Sequence, residues 1–328
     1  MNSENRIPTI PLGTGGPLVG VQGLGTMAMA SGVYGATDEA EARATLELAL
    51  ERGVTLFDTA DMYGDGKGEE FVGEFVRKNR GDVFLATKFG FVRTGAGSID
   101  YGISNDPNYI RTAVDASLRR LGVDVIDLYY MHRRDPAVPL ADSIGAMADL
   151  VAAGKVRYLG LSEASGQELR EAHAIHPIAA IQSEWSLFSR DVEQTSVPDA
   201  AELGIAFVSY SPLGRGMLAG GAPAGGLEQG DVRTYFPRFS DENQKANARL
   251  LDVIRSLADA HGATPAQIAL AWLHMRASAQ NLRVVPIPGT RKRNRLEENL
   301  AAIELELTSE ELETLEPLAD TVQGARLP

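Results

Sequence analysis

The chain has 328 residues, with 31 Lys and Arg against 44 Asp and Glu, a net charge of −13 and no cysteine. Such acidity excludes a general nucleic-acid binder, which needs a basic face, and reads as simple solubility. The lack of cysteine excludes disulfides and fits a cytoplasmic protein; with no apolar signal core in residues 1–6 and no apolar run near the roughly 18 residues of a membrane span, neither a leader nor a span is expected.

Residues 7–20 alternate apolar and turn residues, which predicts a hairpin closing the floor of a barrel. Residues 21–25 predict a first barrel strand, running into Thr26, Met27 and Ala28. Asp38 followed by Glu41 predicts a capping box, and a helix with Ala42, Leu46, Ala49 and Leu50 on one face that stops at Gly53. Apolar runs at 54–57 and 83–87 predict the next two strands, with a helix over 69–79 between them. Asp106 and Pro107 form an N-cap with proline at the first helical position, opening a helix that turns Ala113, Leu118 and Leu121 inward.

The alternation continues with a strand at 125–131, a helix at 138–153, a strand at 156–161, a helix at 165–175, a strand at 179–182, a helix at 191–203 and a strand at 205–209. Residues 213–239 break this rhythm, being rich in glycine and poor in periodic apolar residues, and predict a long excursion. A helix at 241–261 follows. Thr264 and Gln267 then cap a helix to Ala277, residues 283–287 make the last strand, 291–301 a further helix, and Thr308 with Glu311 caps a final one. Eight strand–helix alternations predict an α/β protein built as a single (β/α)8 TIM barrel over residues 1–328, with an N-terminal hairpin and extra C-terminal helices.

Three successive predicted strands finish on chemically useful side chains. The first ends at Asp58, with Tyr63 five residues on; the next ends at Lys88; the third ends at His132. In a parallel barrel the C-terminal ends of the strands share one face, where chemistry is carried out, so these four side chains are expected to meet.

This order resembles the Asp/Tyr/Lys/His tetrad of the aldo-keto reductase superfamily, and the likeness runs nearly end to end. Gly23-Leu24-Gly25-Thr26, residues 154–162, residues 210–216 and Ile287-Pro288-Gly289-Thr290 each resemble a family signature at its proper strand. The chain looks most like the bacterial and plant branch that includes perakine reductase. The resemblance implies an NADP(H)-dependent reductase of aldehydes or ketones, with a small-molecule carbonyl substrate and no nucleic-acid or membrane partner.

Carbonyl reduction needs a hydride at carbon and a proton at oxygen. Tyr63 is the expected proton donor, although a phenol with a pKa near 10 is a weak acid at neutral pH. The Lys88 ammonium is expected to lower that pKa, Asp58 to hold Lys88 charged and in place, and His132 to donate to the carbonyl oxygen. Asp61, in the same loop, is expected to make a turn hydrogen bond.

The resemblance also places the cofactor. Ser162 and Gln182 would bind the nicotinamide carboxamide and Tyr210 would stack on its ring, unless Tyr210 is core packing. Thr26, Met27 and Asp58 would lie near the nicotinamide end, with Ser211, Leu213 and Arg215 along the pyrophosphate and residues 213–239 as a lid over it. Many members carry Asn where this chain has Glu163, and a carboxylate can accept from an amide NH2 but cannot donate to its oxygen. After the last strand, Gly289 and Thr290 lead into Arg291, Lys292, Arg293 and Arg295, four cations in five residues against the dipole of a helix start. The resemblance supplies a fitting anion, the 2′-phosphate of NADP(H), held by Thr290, Arg291 and Arg295, with Glu298 and Asn299 at the adenine; Arg291 could instead face solvent.

Two other readings are kept. One is a cofactor-sensing subunit resembling channel β subunits, which keep the tetrad. The other is a non-redox barrel hydrolase, for which Asp58 and Glu163 are the sole acid pair at strand ends. No His/Asp/Glu grouping has the spacing of a metal site.

Overall fold

The computed structural model describes residues 6–30, 33–34, 37–95, 101–220, 227 and 231–327. Strands β1 (Thr9–Pro11) and β2 (Leu18–Gly20) pair antiparallel in the expected N-terminal hairpin. The barrel strands are β3 (Leu24–Gly25), β4 (Leu56–Asp58) and β5 (Phe84–Phe89), then β8 (Ile126–Met131), β9 (Val156–Ser162), β10 (Ile178–Glu184), β11 (Ala206–Tyr210) and β12 (Val284–Pro286). Between them, β6 (Phe91–Arg93) and β7 (Tyr101–Ile103) form a second antiparallel hairpin directly after β5.

All eight barrel strands pair parallel, in the order β12-β11-β10-β9-β8-β5-β4-β3. The Gly23 N–H donates to the Pro286 carbonyl at 2.9 Å, bringing the last strand against the first. Buried on both faces, such strands must be apolar throughout, which is why short apolar runs betrayed them. Along β8, Leu128 and Tyr130 point into the barrel while Tyr129 and Met131 face the helices. Leu12 and Val19 of the hairpin region join Leu128, Tyr130, Val208 and Ile287 in that inner core. Room for the Tyr130 ring comes from Gly160 on β9, where a Cβ would lie 2.4 Å from the ring.

The helices are α1 (Glu39–Glu51), α2 (Lys67–Lys78), α3 (Pro107–Leu121), α4 (Leu140–Ala152), α5 (Gly166–Ile175), α6 (Val192–Thr195), α7 (Val197–Leu203), α8 (Asp241–His261), α9 (Pro265–Ala279), α10 (Arg293–Ala301), α11 (Ser309–Leu315) and α12 (Leu318–Thr321). Among the described residues none is long and apolar enough to cross a membrane. Capping boxes form at Ser165 with Glu168, at Thr264 with Gln267 and at Thr308 with Glu311.

Three expectations are corrected. The helix at 191–203 is two helices: Pro198 has no N–H to give the Gln194 carbonyl, so the first ends at Thr195 and the chain restarts after Ser196 with the proline in the first turn. Asp38 caps α1 by accepting from the amides of Ala40 and Glu41, but no reciprocal box forms, since the Glu41 carboxylate turns to Arg293. Helix α10 starts at Arg293, so Arg291 and Lys292 precede it. The excursion at 213–239 carries 3-10 turns at Gly214–Ala219, Val232–Tyr235 and Pro237–Phe239; its middle, 221–226 and 228–230, lies outside the described residues.

Candidate active site

Three side chains of the expected tetrad, Asp58, Lys88 and His132, arrive at or near the ends of barrel strands. Asp58 is the last residue of β4, Lys88 the fifth of β5, and His132 follows β8. Asp58 and Lys88 form a buried ion pair. The Lys88 ammonium also donates to the Thr59 carbonyl at 2.8 Å and to the Tyr63 hydroxyl at 3.3 Å, which uses its three donors. The second Asp58 oxygen accepts from the Gln182 side-chain amide at 2.8 Å.

These contacts set the charges. Burial opposes charge on Lys88, but Asp58 and the Tyr63 hydroxyl outweigh it and hold the ammonium above the usual lysine range. Burial pushes the Asp58 carboxyl up against the pull of Lys88 and Gln182. For Tyr63 the expectation of a lowered pKa is corrected: burial is the larger influence and carries the phenol above 10, although Lys88 pulls it down. Tyr63 therefore stays protonated at neutral pH, with an ammonium beside the oxygen to stabilise a phenolate once the proton leaves.

His132 is held well below the usual histidine range by burial, with Lys88 and Arg133 adding to it, so its ring is neutral. The ring meets Tyr63 edge-on at 6.2 Å and Phe91 edge-on at 4.9 Å, and its buried Nδ1 finds no partner among the described residues. Asp61, half-buried near Glu69, is pushed up to about 8 chiefly by desolvation and then by the Glu69 charge; its Oδ1 has no partner among the described residues.

Beside the tetrad lies a polar rim. Ser162 ends β9 in register with Gln182 of β10, and its hydroxyl accepts from Arg133 at 3.2 Å while the same arginine donates to the His132 carbonyl at 2.7 Å. Tyr210 ends β11, and its hydroxyl donates to Glu163 at 2.9 Å. Thr26 is tied by its hydroxyl and amide to the Asp58 carbonyl, both at 2.9 Å, and Met27 opens a 3-10 turn after it. Leu213 packs on the outer core, and Arg215 lies over the Phe236 ring at 4.2 Å with Glu184 at 3.4 Å. Glu163, Ser211 and Arg215 hold φ of 55°, 47° and 54°, three of the five non-glycine residues with positive φ among the described ones. Strained backbone gathered at one rim is characteristic of a binding site.

The cations after β12 are all brought to one place, but three already have partners. Arg291 donates to the Thr37 hydroxyl at 3.1 Å and the Tyr34 carbonyl at 3.0 Å, so it does not face away into solvent. Arg293 pairs with Glu41, whose carboxylate also accepts the Arg293 backbone N–H at 3.0 Å; part of the conflict at the start of α10 is thus resolved from α1. Arg295 pairs with Glu298 at 2.5 Å on the exposed surface. The Thr290 hydroxyl accepts the Lys292 N–H at 3.1 Å, and Asn299 is buried.

This arrangement fits an anionic dinucleotide. Most first amides of helix α10 already have acceptors, Arg293 in Glu41 and Arg295 in the Asn294 side chain at 2.9 Å, so what offers itself to a phosphate is chiefly the arginines, whose surface partners can be exchanged. Gly25 and Gly289 face each other across the closing seam, where a Cβ on Gly25 would lie 2.9 Å from the Ile287 carbonyl.

Three features escaped the sequence. The β6–β7 hairpin sets Phe91 on His132 and is tied by Arg93 and Tyr101 to Asp65, in the loop that carries Tyr63; its signal was two short apolar runs flanking Gly95 and Gly97. Arg133 had only its place beside His132 to mark it. Arg326 had no signal, for its partner Glu163 is 163 residues away.

The model of the Aldo/keto reductase family matches residues 23–320. Solved structures agree over the whole barrel. The glycerol dehydrogenase AKR11B4 from Gluconobacter oxydans is 28% identical with a TM-score of 0.80, covering 98% of this chain and 97% of its own. The aldo-keto reductase AKR11C1 from Bacillus halodurans, in its holo form, is 27% identical with a TM-score of 0.74, over 96% and 97%. The thermostable aldo-keto reductase Tm1743, in complex with the inhibitor epalrestat, is 29% identical with a TM-score of 0.73, over 95% and 100%. With that match and these neighbours, the chain belongs to the aldo/keto reductase family, oxidoreductases that act on carbonyl compounds with nicotinamide cofactors.

Proposed function

We propose that the protein reduces aldehydes or ketones to alcohols with NADPH, as a single-domain enzyme of the cytoplasm. The observation that carries the reading is the buried Lys88 ammonium shared by Asp58, the Thr59 carbonyl and the Tyr63 hydroxyl. Bound at the rim, the nicotinamide supplies the hydride for the carbonyl carbon.

The chain's own residues do the rest. The neutral His132 ring donates to the carbonyl oxygen and orients it toward Tyr63. Tyr63 holds the proton that this oxygen takes, and Lys88 stabilises the phenolate left behind. Asp58 keeps Lys88 charged in a site where burial alone would discharge it. Gln182, already fastened to Asp58, couples the carboxamide position to the ion pair.

At the adenosine end, Thr290, Arg291 and Arg295 receive the 2′-phosphate, with Glu298 and Asn299 at the adenine; this requires Arg295 to trade Glu298 for phosphate. The experiment is Tyr63→Phe, assayed for NADPH consumption with a panel of aldehydes and for NADPH binding by fluorescence. Turnover should fall by about 10²–10⁴-fold while binding is kept. Turnover at the wild-type rate would remove Tyr63 as the proton donor.

A further inference from the structure

Residues 323–326 are tied down onto the rim. Asn247, buried in α8, exchanges two hydrogen bonds with the Gln323 backbone, accepting its N–H at 2.8 Å and donating to its carbonyl at 3.0 Å. Arg238 donates its backbone N–H to Ala325 at 3.3 Å and its side chain to the Gly324 carbonyl at 3.2 Å. Gly324 has φ +88°, and a Cβ there would lie 2.6 Å from the Arg238 Cα, so this crossing requires glycine. Three consecutive residues are thereby fixed, and the fourth, Arg326, is delivered into the polar rim.

There the Arg326 guanidinium donates to Glu163 Oε2 at 2.7 Å, to the Tyr210 hydroxyl at 3.3 Å and to Asp191 at 3.3 Å, with Glu184 at 3.9 Å. Glu163 is full: its Oε1 accepts from Tyr210 at 2.9 Å and from the Glu184 backbone N–H at 3.0 Å, while Oε2 takes Arg326. The Glu163 side chain is only 13% exposed. Left without a cation, it would be a nearly buried negative charge at the edge of a site that must accept a polyanion, an arrangement that costs heavily.

We infer that Arg326 is a positioning residue for the nicotinamide half of the cofactor site: the tail supplies the counter-ion of Glu163, and Glu163 in turn fixes the Tyr210 ring. Glu163 then anchors protein to protein rather than gripping the carboxamide. This rests on the reading above, that a nicotinamide nucleotide lies on this rim. The pocket is complete only when the tail is seated.

The test compares NADPH with adenosine 2′,5′-bisphosphate, which lacks the nicotinamide, by titration calorimetry on the full chain, with thermal melts to show that each variant is folded. Arg326→Ala should weaken NADPH roughly 10–100-fold, the range of a lost charged hydrogen bond, and leave the bisphosphate within about twofold. A second change, Glu163→Gln, made on top of Arg326→Ala, should restore most of the NADPH affinity, because it removes the orphaned charge. Arg326→Gln replaces the alanine variant if the latter does not fold, with the same expectation. Unchanged NADPH affinity, equal losses for both ligands, or no recovery with Glu163→Gln would each overturn the inference while leaving the cofactor reading standing. A wild-type protein that binds the bisphosphate but no NADPH would overturn both.

Discussion

The two ends of the site are built on opposite principles. At the tetrad, Asp58 and Lys88 are buried, every Lys88 donor is committed, and Gln182 backs the ion pair from across the barrel. At the start of α10, Arg293 and Arg295 are exposed and paired with Glu41 and Glu298, while Arg291 is lent to Tyr34 and Thr37. The first end is organised before any ligand arrives, because reorganising buried charge during the reaction would be costly. The second can afford surface pairs worth little in water, since a phosphate with better geometry displaces them readily. On the proposed function, chemistry sits where charges cannot move, and cofactor capture where they can.

Lys88→Met should break the rigid end hardest. It orphans the buried Asp58 carboxylate, so the protein should lose about 3–5 kcal/mol of stability in denaturant titrations as well as its turnover. Adding Asp58→Asn should recover stability but not activity; recovery of both would mean that the ion pair is structural alone.

Arg295→Ala probes the exchangeable end. It should weaken NADPH by about 1.5–3 kcal/mol and NADH hardly at all, and the difference should shrink as salt is raised. Equal losses for the two cofactors, or a wild-type preference for NADH, would show that the cluster does not read the 2′-phosphate.

Asp61→Asn gives the smallest effect and tests the cost of buried charge directly. Its carboxyl sits at about 8 when folded, against roughly 3.9 when unfolded, so between those values the folded protein binds a proton that the unfolded chain has released. Stability from this group therefore falls as pH rises from about 4 to about 8 and is level outside that window. Asp61→Asn cannot titrate, so by thermal unfolding it should gain on the wild type by roughly 1–2 kcal/mol across the window, less than the full shift because Asp61 keeps some contact with solvent. A constant difference between the two at all pH values would place the Asp61 charge outside the fold's energetics.

Much of this molecule is written locally. Short apolar runs that must be buried on both faces announce the parallel strands, and the caps at Asp106, Thr264 and Thr308 announce their helices. The spacing of Asp58, Tyr63, Lys88 and His132 against strand ends follows from the same local pattern, because barrel topology sends all those ends to one face.

What escaped depended on partners distant in sequence. Glu41 looked like half of a capping box, yet Arg293, 252 residues on, offers a charged fork and a free helix N–H that outweigh its own N-cap amide. Lys88 was expected to lower the Tyr63 pKa, but the depth of burial decides the net sign, and depth is a property of the packed barrel. Glu163 read as an odd substitution until the tail was seen to bring Arg326 to it. Local sequence determined the barrel strands, most caps and which side chains stand at the strand ends, since each needs only neighbours within a turn or a strand. Tertiary structure alone decided which charges are paired and how strongly they are held, because Coulomb energy depends on distance and dielectric, and folding sets both.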